Sequence, residues 1–135
     1  MRIEQINLGS RAPILVSGKT RATGIFKEEV KGPVSISKSG LLGDVIVNEK
    51  HHGGPDQAVY LYSLEDYSLW AEMLDKPVSA GTFGENLTTA GLNLSDICVG
   101  DVLESESVAL QVTAPRIPCS VLAARMNDKQ FGKKY

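Results

Sequence analysis

The chain has 135 residues and a formal net charge of −2, with apolar and charged fractions ordinary for a soluble protein. That length suits one domain, residues 1–135, able to bury a core without metal or disulfide staples. The charge argues against a nucleic-acid or membrane-surface partner, no apolar run nears the ~20 residues of a membrane span, and no signal-peptide stretch opens the chain, so a cytoplasmic location is expected.

Gly and Pro punctuate short β-prone runs, and no internal repeat interrupts them. The expected strands are Ile3–Leu8, Ala12–Ser17, Gly24–Phe26, Val34–Ser37, Ala58–Tyr62, Asn86–Thr89, Asp101–Glu104 and Val108–Thr113. Runs this short, bounded by turn residues, favour a mainly β (α+β) fold with a barrel or a folded-over antiparallel sheet. One helix stands out. From Leu64 to Leu74, the residues Leu64, Tyr67, Trp70, Ala71 and Leu74 recur at helical spacing. Ser63 is its expected N-cap, with Asp66 three residues on, and Lys76-Pro77 ends it. A second helix is expected just after Cys119.

Three segments could carry chemistry. The first is Lys50-His51-His52-Gly53-Gly54-Pro55-Asp56-Gln57-Ala58. Its paired glycines could aim backbone N–H groups at an anion, with His52 and Lys50 beside them, or could simply form a tight turn before a strand. The residues alone favour the turn. The second is Gly81-Thr82-Phe83-Gly84-Glu85-Asn86-Leu87. Phe83 reads as core, whereas Glu85 and Asn86 could bind a polar ligand or, more simply, satisfy local backbone groups. Gly100-Asp101 reads as a structural turn.

The third segment is Thr113-Ala114-Pro115-Arg116-Ile117-Pro118-Cys119-Ser120. Two prolines stiffen the approach to the cysteine. A helix start after Cys119, with Arg116 nearby, would favour a thiolate, and a thiolate is a soft metal ligand. A lone cysteine is more often a buried, inert one. Cys98, inside Ile97-Cys98-Val99, fits that description and is expected to be structural, whereas Cys119 fits it less well. No CxxC pair or HExxH helix is present to suggest zinc.

Taken in order, Gly40-Leu41-Leu42-Gly43-Asp44, His52-Gly53-Gly54-Pro55-Asp56-Gln57-Ala58 with Tyr62, Phe83-Gly84-Glu85-Asn86-Leu87, Gly100-Asp101 and Pro115-Arg116-Ile117-Pro118-Cys119 make a longer pattern. This ordered set resembles the MOSC family, named for the C-terminal domain of molybdenum-cofactor sulfurase, and within it the YiiM-like branch. Val45-Ile46-Val47 depart from the polar residues usual after the first Gly-Asp. The family pattern also continues past the cysteine, so the resemblance implies a domain lacking its C-terminal part.

The resemblance implies a β-barrel-like fold with one or two short helices, and a cofactor, the molybdenum–pterin complex (molybdopterin). It implies that Cys119 ligates molybdenum or carries sulfur as the catalytic residue. It places His52, Gly53, Gly54, Asn86 and Arg116 near the cofactor. The implied activity is reduction of N-hydroxylated compounds such as hydroxylaminopurines. No flavin, haem or nicotinamide site is legible, so a separate electron-donor reductase is expected. The alternatives are a persulfide-based sulfur carrier and a non-catalytic anion- or pterin-binding module. A domain short of its last strands would leave open sheet edges, through which self-association is expected.

Overall fold

A computed structural model describes every residue, Met1–Tyr135. Its centre is a four-stranded sheet built around β1 (Arg2–Gly9). On one side β1 pairs antiparallel with β4 (Lys27–Val30), setting Ile6 opposite Val30. On the other it pairs antiparallel with β8 (Leu87–Ala90), setting Ile6 opposite Leu87. The fourth strand, β7 (Leu61–Ser63), runs parallel to β8. Parallel neighbours need a crossover, and the chain between them supplies one that includes α2 (Leu64–Leu74).

Between β1 and β4 the chain makes a hairpin, β2 (Ala12–Val16) and β3 (Lys19–Thr23). Its two-residue turn, Ser17-Gly18, has φ of 49° and 78°. Positive φ at both positions matches the twist of the flanking strands. β5 (Ile36–Ser37) and β6 (Gly40–Leu41) form a minimal pair, as do β9 (Val102–Glu104) and β10 (Ala109–Gln111). The fold is therefore mainly β with a few short helices, as expected. The sheets do not close into a barrel, because the three two-stranded pairs remain separate from the central sheet.

The expected strand Gly24–Phe26 is absent. Those residues cross between two other backbones: a Cβ on Gly24 would lie 1.9 Å from the Val45 carbonyl oxygen, and one on Gly9 would lie 2.1 Å from that of Gly24. The backbones touch face to face there, leaving no room for a ladder. Ala58–Tyr62 also shifts, with the strand starting only at Leu61. The short helix α1 (Glu49–His52) and a 3₁₀ turn, Pro55–Gln57, occupy the segment before it.

α2 has the expected bounds. The Ser63 hydroxyl accepts the Asp66 N–H at 3.1 Å, and the helix ends at Asp75, which takes a left-handed conformation with φ of 50°. Tyr67 and Trp70 are buried and Leu74 is half-buried against the core, while Leu64, Leu69 and Met73 face solvent. The core joins Tyr67 and Trp70 to Ile14, Val16, Ile25, Phe83, Leu122 and Phe131. Leu122 arrives on α3 (Ser120–Arg125), the helix expected after Cys119, and Phe131 on a 3₁₀ turn, Phe131–Lys133.

Cys98 departs from its expected role. It follows the 3₁₀ turn Leu94–Asp96 and is exposed, its N–H bonded to Asp101 Oδ2 at 2.8 Å. Its apolar neighbour Val99 is 66% exposed. The apolar run lies on a surface turn, so burial does not shield this thiol.

Candidate functional site

The first and third of the three segments singled out for chemistry meet in space. The Arg116 guanidinium contacts Nδ1 of His52, across 64 residues of sequence. Thr113 adds a second tie, donating its hydroxyl to the Asp56 carbonyl at 2.6 Å. Arg116 also lies over the ring of Tyr60, with 5.3 Å from its Cζ to the ring centroid. That distance is within the range of cation–π attraction.

Arg116 is the electrostatic centre of this group. It takes part in none of the ion pairs of the structure, and its Nε is buried without a hydrogen-bond partner. A buried donor left unsatisfied is costly and marks a place where a ligand or water fits. Around it the field is positive. Burial, then the Arg116 charge, then His51 hold the His52 imidazole below its ordinary range, which favours its neutral form. Burial pushes the Tyr60 phenol well above its ordinary range, and its hydroxyl meets that of Tyr135.

The glycines do not form an anion nest. Gly53 is extended (φ −120°, ψ −178°), and its N–H caps α1 by donating to the Glu49 carbonyl at 3.0 Å. Gly54, with φ of 87° and ψ of 170°, faces open space. A nest needs successive N–H groups aimed at one point, and one of these two is already bonded. Any anion held here meets side chains first.

Asn86 lies behind the site and is 5% exposed. Its Oδ1 accepts the Tyr60 N–H at 3.2 Å, and its Nδ2 donates to Asp44 Oδ2 at 2.9 Å. It thus fixes the Tyr60 backbone just before β7. Asp44 is the hub of this layer. It accepts the Gly9 N–H at 2.7 Å and pairs with Lys27, and the side chains of both are nearly inaccessible. Burial is the largest influence on Lys27 and lowers its pKa against the pull of Asp44. Glu85, fully buried, accepts from Tyr67 and Gly81 at 2.6 Å and from Thr88 at 2.9 Å. The sequence reading missed Tyr60, Asp44 and Lys27 as supports. Only Asp44 carried a signal, at the end of its Gly-Leu-Leu-Gly-Asp segment.

Cys119 is the N-cap residue of α3. Its thiol is free, half-buried and packed against the apolar core, and it makes no capping hydrogen bond. No cluster of three or more His, Cys, Asp or Glu that could hold a metal ion exists in the chain. Two surface pits, of about 260 Å³ beside β2–β3 and about 250 Å³ beside Lys76–Thr82, include none of these site residues.

The family model of the MOSC domain matches residues 48–135, the stretch holding His52, Tyr60, Asn86, Arg116 and Cys119. The chain belongs to the MOSC domain family. It is 41% identical over 126 residues to Uncharacterized protein YflK of Bacillus subtilis, covering 93% of this chain and 57% of that protein. It is 37% identical over 102 residues to Protein YiiM of Escherichia coli, covering 73% and 46%. A protein of Gibberella moniliformis named Reductase is 36% identical over 107 residues, 76% of this chain and 19% of that one. The crystal structure of YiiM from Geobacillus stearothermophilus superposes with a TM-score of 0.74 at 32% identity, covering 98% of this chain and 60% of that one. The chain thus spans about half the length of its bacterial relatives. No helix is long and apolar enough to cross a membrane.

Proposed function

We propose that this MOSC domain binds the molybdenum–pterin cofactor and works as an oxidoreductase on N-hydroxylated compounds such as hydroxylaminopurines. The observation that carries the reading is Arg116: a half-buried guanidinium with no carboxylate partner and an unsatisfied buried Nε, held between His52 and Tyr60. That donor set fits an anionic group such as the cofactor's phosphate. A single thiol three residues on, with no further protein ligands gathered, fits a metal held mainly by the cofactor's own atoms. When bound, the cofactor would supply the two-electron redox chemistry.

In this reading Arg116 and His52 hold the anionic end, while Tyr60 and Asn86 fix Arg116 in place. Cys119 supplies the soft ligand. Electrons come from a separate reductase, and the small N-hydroxylated substrate approaches from solvent. The family membership and the relative named Reductase support this reading, and the whole protein's activity is part of the proposal.

The test is metal analysis of protein purified from a cofactor-producing host. Wild type is expected to carry stoichiometric molybdenum, and Arg116→Gln and Cys119→Ser to lose most of it while keeping wild-type circular dichroism. With a reductase supplied, Cys119→Ser should be inactive on hydroxylaminopurines. Molybdenum-free wild type bearing an extra sulfur on Cys119 would replace this reading with the sulfur carrier. Protein with neither would be a plain anion-binding module.

A further inference from the structure

His52 and Arg116 make an arrangement that the binding of an anion must change. Arg116 has only N–H donors, so its contact with Nδ1 of His52 requires a lone pair there. The imidazole is therefore neutral, with its proton on Nε2. An anion arriving at the guanidinium competes for the same N–H. It also brings negative charge beside the imidazole, which favours a proton on Nδ1. Once protonated, Nδ1 turns from acceptor to donor. Arg116 and His52 then aim N–H groups from two sides at the space they now share.

We infer that the Arg116–His52 pair is a proton-coupled anion latch, in which binding a tetrahedral dianion breaks the Arg116–His52 contact and takes up one proton from solvent at His52. The inference rests on the anion-site reading above and adds the proton. The balance is simple: the Arg116 N–H transfers its hydrogen bond from Nδ1 to an anion oxygen, and Nδ1 gains a proton and donates to the same anion. No bond to carbon, sulfur or metal forms or breaks.

The surroundings agree. His51, Lys50 and Glu49 share the helix of His52, and Asp56 follows on the next turn. Arg116 approaches from the segment before α3, with Tyr60 beneath it. Behind them lie the Lys27–Asp44 pair and Glu85, and Lys27 feels the Arg116 charge. The Asp44 carboxylate is occupied by its own partners, and Glu85 accepts from Tyr67, Gly81 and Thr88 through Oε1 alone, its buried Oε2 having no hydrogen-bond partner. No carboxylate forms an ion pair with Arg116 or His52, so the compensating charge is left to the ligand.

Sulfate is the probe, because it stays a dianion across the range where histidine titrates. The chain has only two histidines, His51 and His52, which makes imidazole NMR direct once His51→Gln assigns them. The titration runs from about pH 5 to about pH 9 in saturating sodium sulfate and in sodium chloride of equal ionic strength. The expected result is a His52 midpoint higher in sulfate by about one pH unit or more. By linkage that means roughly tenfold or greater tightening of sulfate as pH falls through the window. His52→Gln, whose amide oxygen can still accept from Arg116, should bind sulfate with a flatter pH dependence. If the Arg116 Nε–H signal responds to sulfate while the His52 midpoint stays put, the latch is wrong and the anion site stands. An equal rise at His51 also overturns it, since that marks bulk electrostatics. If neither Arg116 nor His52 responds, the anion site falls as well.

Discussion

At the scale of single residues, two positions show how burial and partnership set roles that residue type leaves open. Cys98 sits between Ile97 and Val99 and Cys119 between Pro118 and Ser120, yet the first is exposed and the second packs on the core. Lys27 and Asp44 form a buried ion pair in which each charge depends on the other. Removing one partner of such a pair is far worse than replacing both. His52 carries the pH consequence. Its folded pKa lies below the ordinary value of 6.5 because burial and the Arg116 charge oppose protonation. As pH falls past about 6.5, the unfolded chain takes up a proton at this position while the folded chain does not. The unfolded state then binds more protons, so this contribution to stability is present above pH 6.5 and is lost below it. Thermal melts at mildly acidic and mildly alkaline pH should show a smaller acid-side loss in His52→Gln than in wild type. Equal losses would mean that His52 is not the group responsible.

At the scale of elements, local signals decided what could be read. α2 was legible to the residue because three determinants agree on it: the Ser63 cap, the Tyr67/Trp70/Leu74 stripe and the Lys76-Pro77 stop. Ser63→Ala should test that agreement. It removes the acceptor for Asp66 N–H and the donor to Asp66 Oδ2, at a cost of about 1 kcal/mol in urea unfolding. A variant as stable as wild type would show that tertiary packing alone fixes the helix start. β3 was missed because Lys19-Thr20-Arg21 is polar and exposed, so no apolar alternation marks it. Its only local signal was the Ser17-Gly18 turn. Gly24–Phe26 was misread because Gly24 sits at a backbone crossing with distant Gly9 and Val45, and no local window contains those partners. The candidate site divides in the same way. His52, Arg116 and Cys119 were legible as motif residues, whereas the roles of Tyr60, Asp44 and Lys27 depend on pairings between separate segments. At the glycine pair the residues alone favoured a turn over an anion nest, and the structure agrees: the Gly53 N–H is spent capping α1, a helix too short to show in the sequence.

At the scale of the whole molecule, the site and the core are held by the same segment. The stretch from Thr113 to Cys119 touches α1 and the following turn through Arg116 and Thr113, then enters α3, whose Leu122 is buried in the core. The last 3₁₀ turn closes over it: Phe131 is fully buried, its ring tilted against Trp70 with centroids 5.0 Å apart, and Gly132 lies against Pro118. Tyr135 completes the packing, its ring 5.7 Å from that of Trp70 and its hydroxyl on that of Tyr60 beneath Arg116. A cavity at Phe131 should therefore be felt at Cys119. Phe131→Ala deletes a buried ring from the centre of this cluster and should cost about 3–5 kcal/mol. Against a domain stability of about 5–15 kcal/mol, that leaves a folded but loosened protein. Local opening of α3 and its approach then becomes more frequent. Labelling by a thiol reagent under native conditions should separate the two cysteines. Cys98, exposed, should react quickly in both proteins, whereas Cys119 should react slowly in wild type and at least roughly tenfold faster in Phe131→Ala. The control is Leu69→Ala on the solvent face of α2, which removes apolar volume outside the core and should leave the Cys119 rate unchanged. A Cys119 rate unaltered in Phe131→Ala, despite the measured loss of stability, would show that the thiol segment is held by its own prolines and not by the aromatic core.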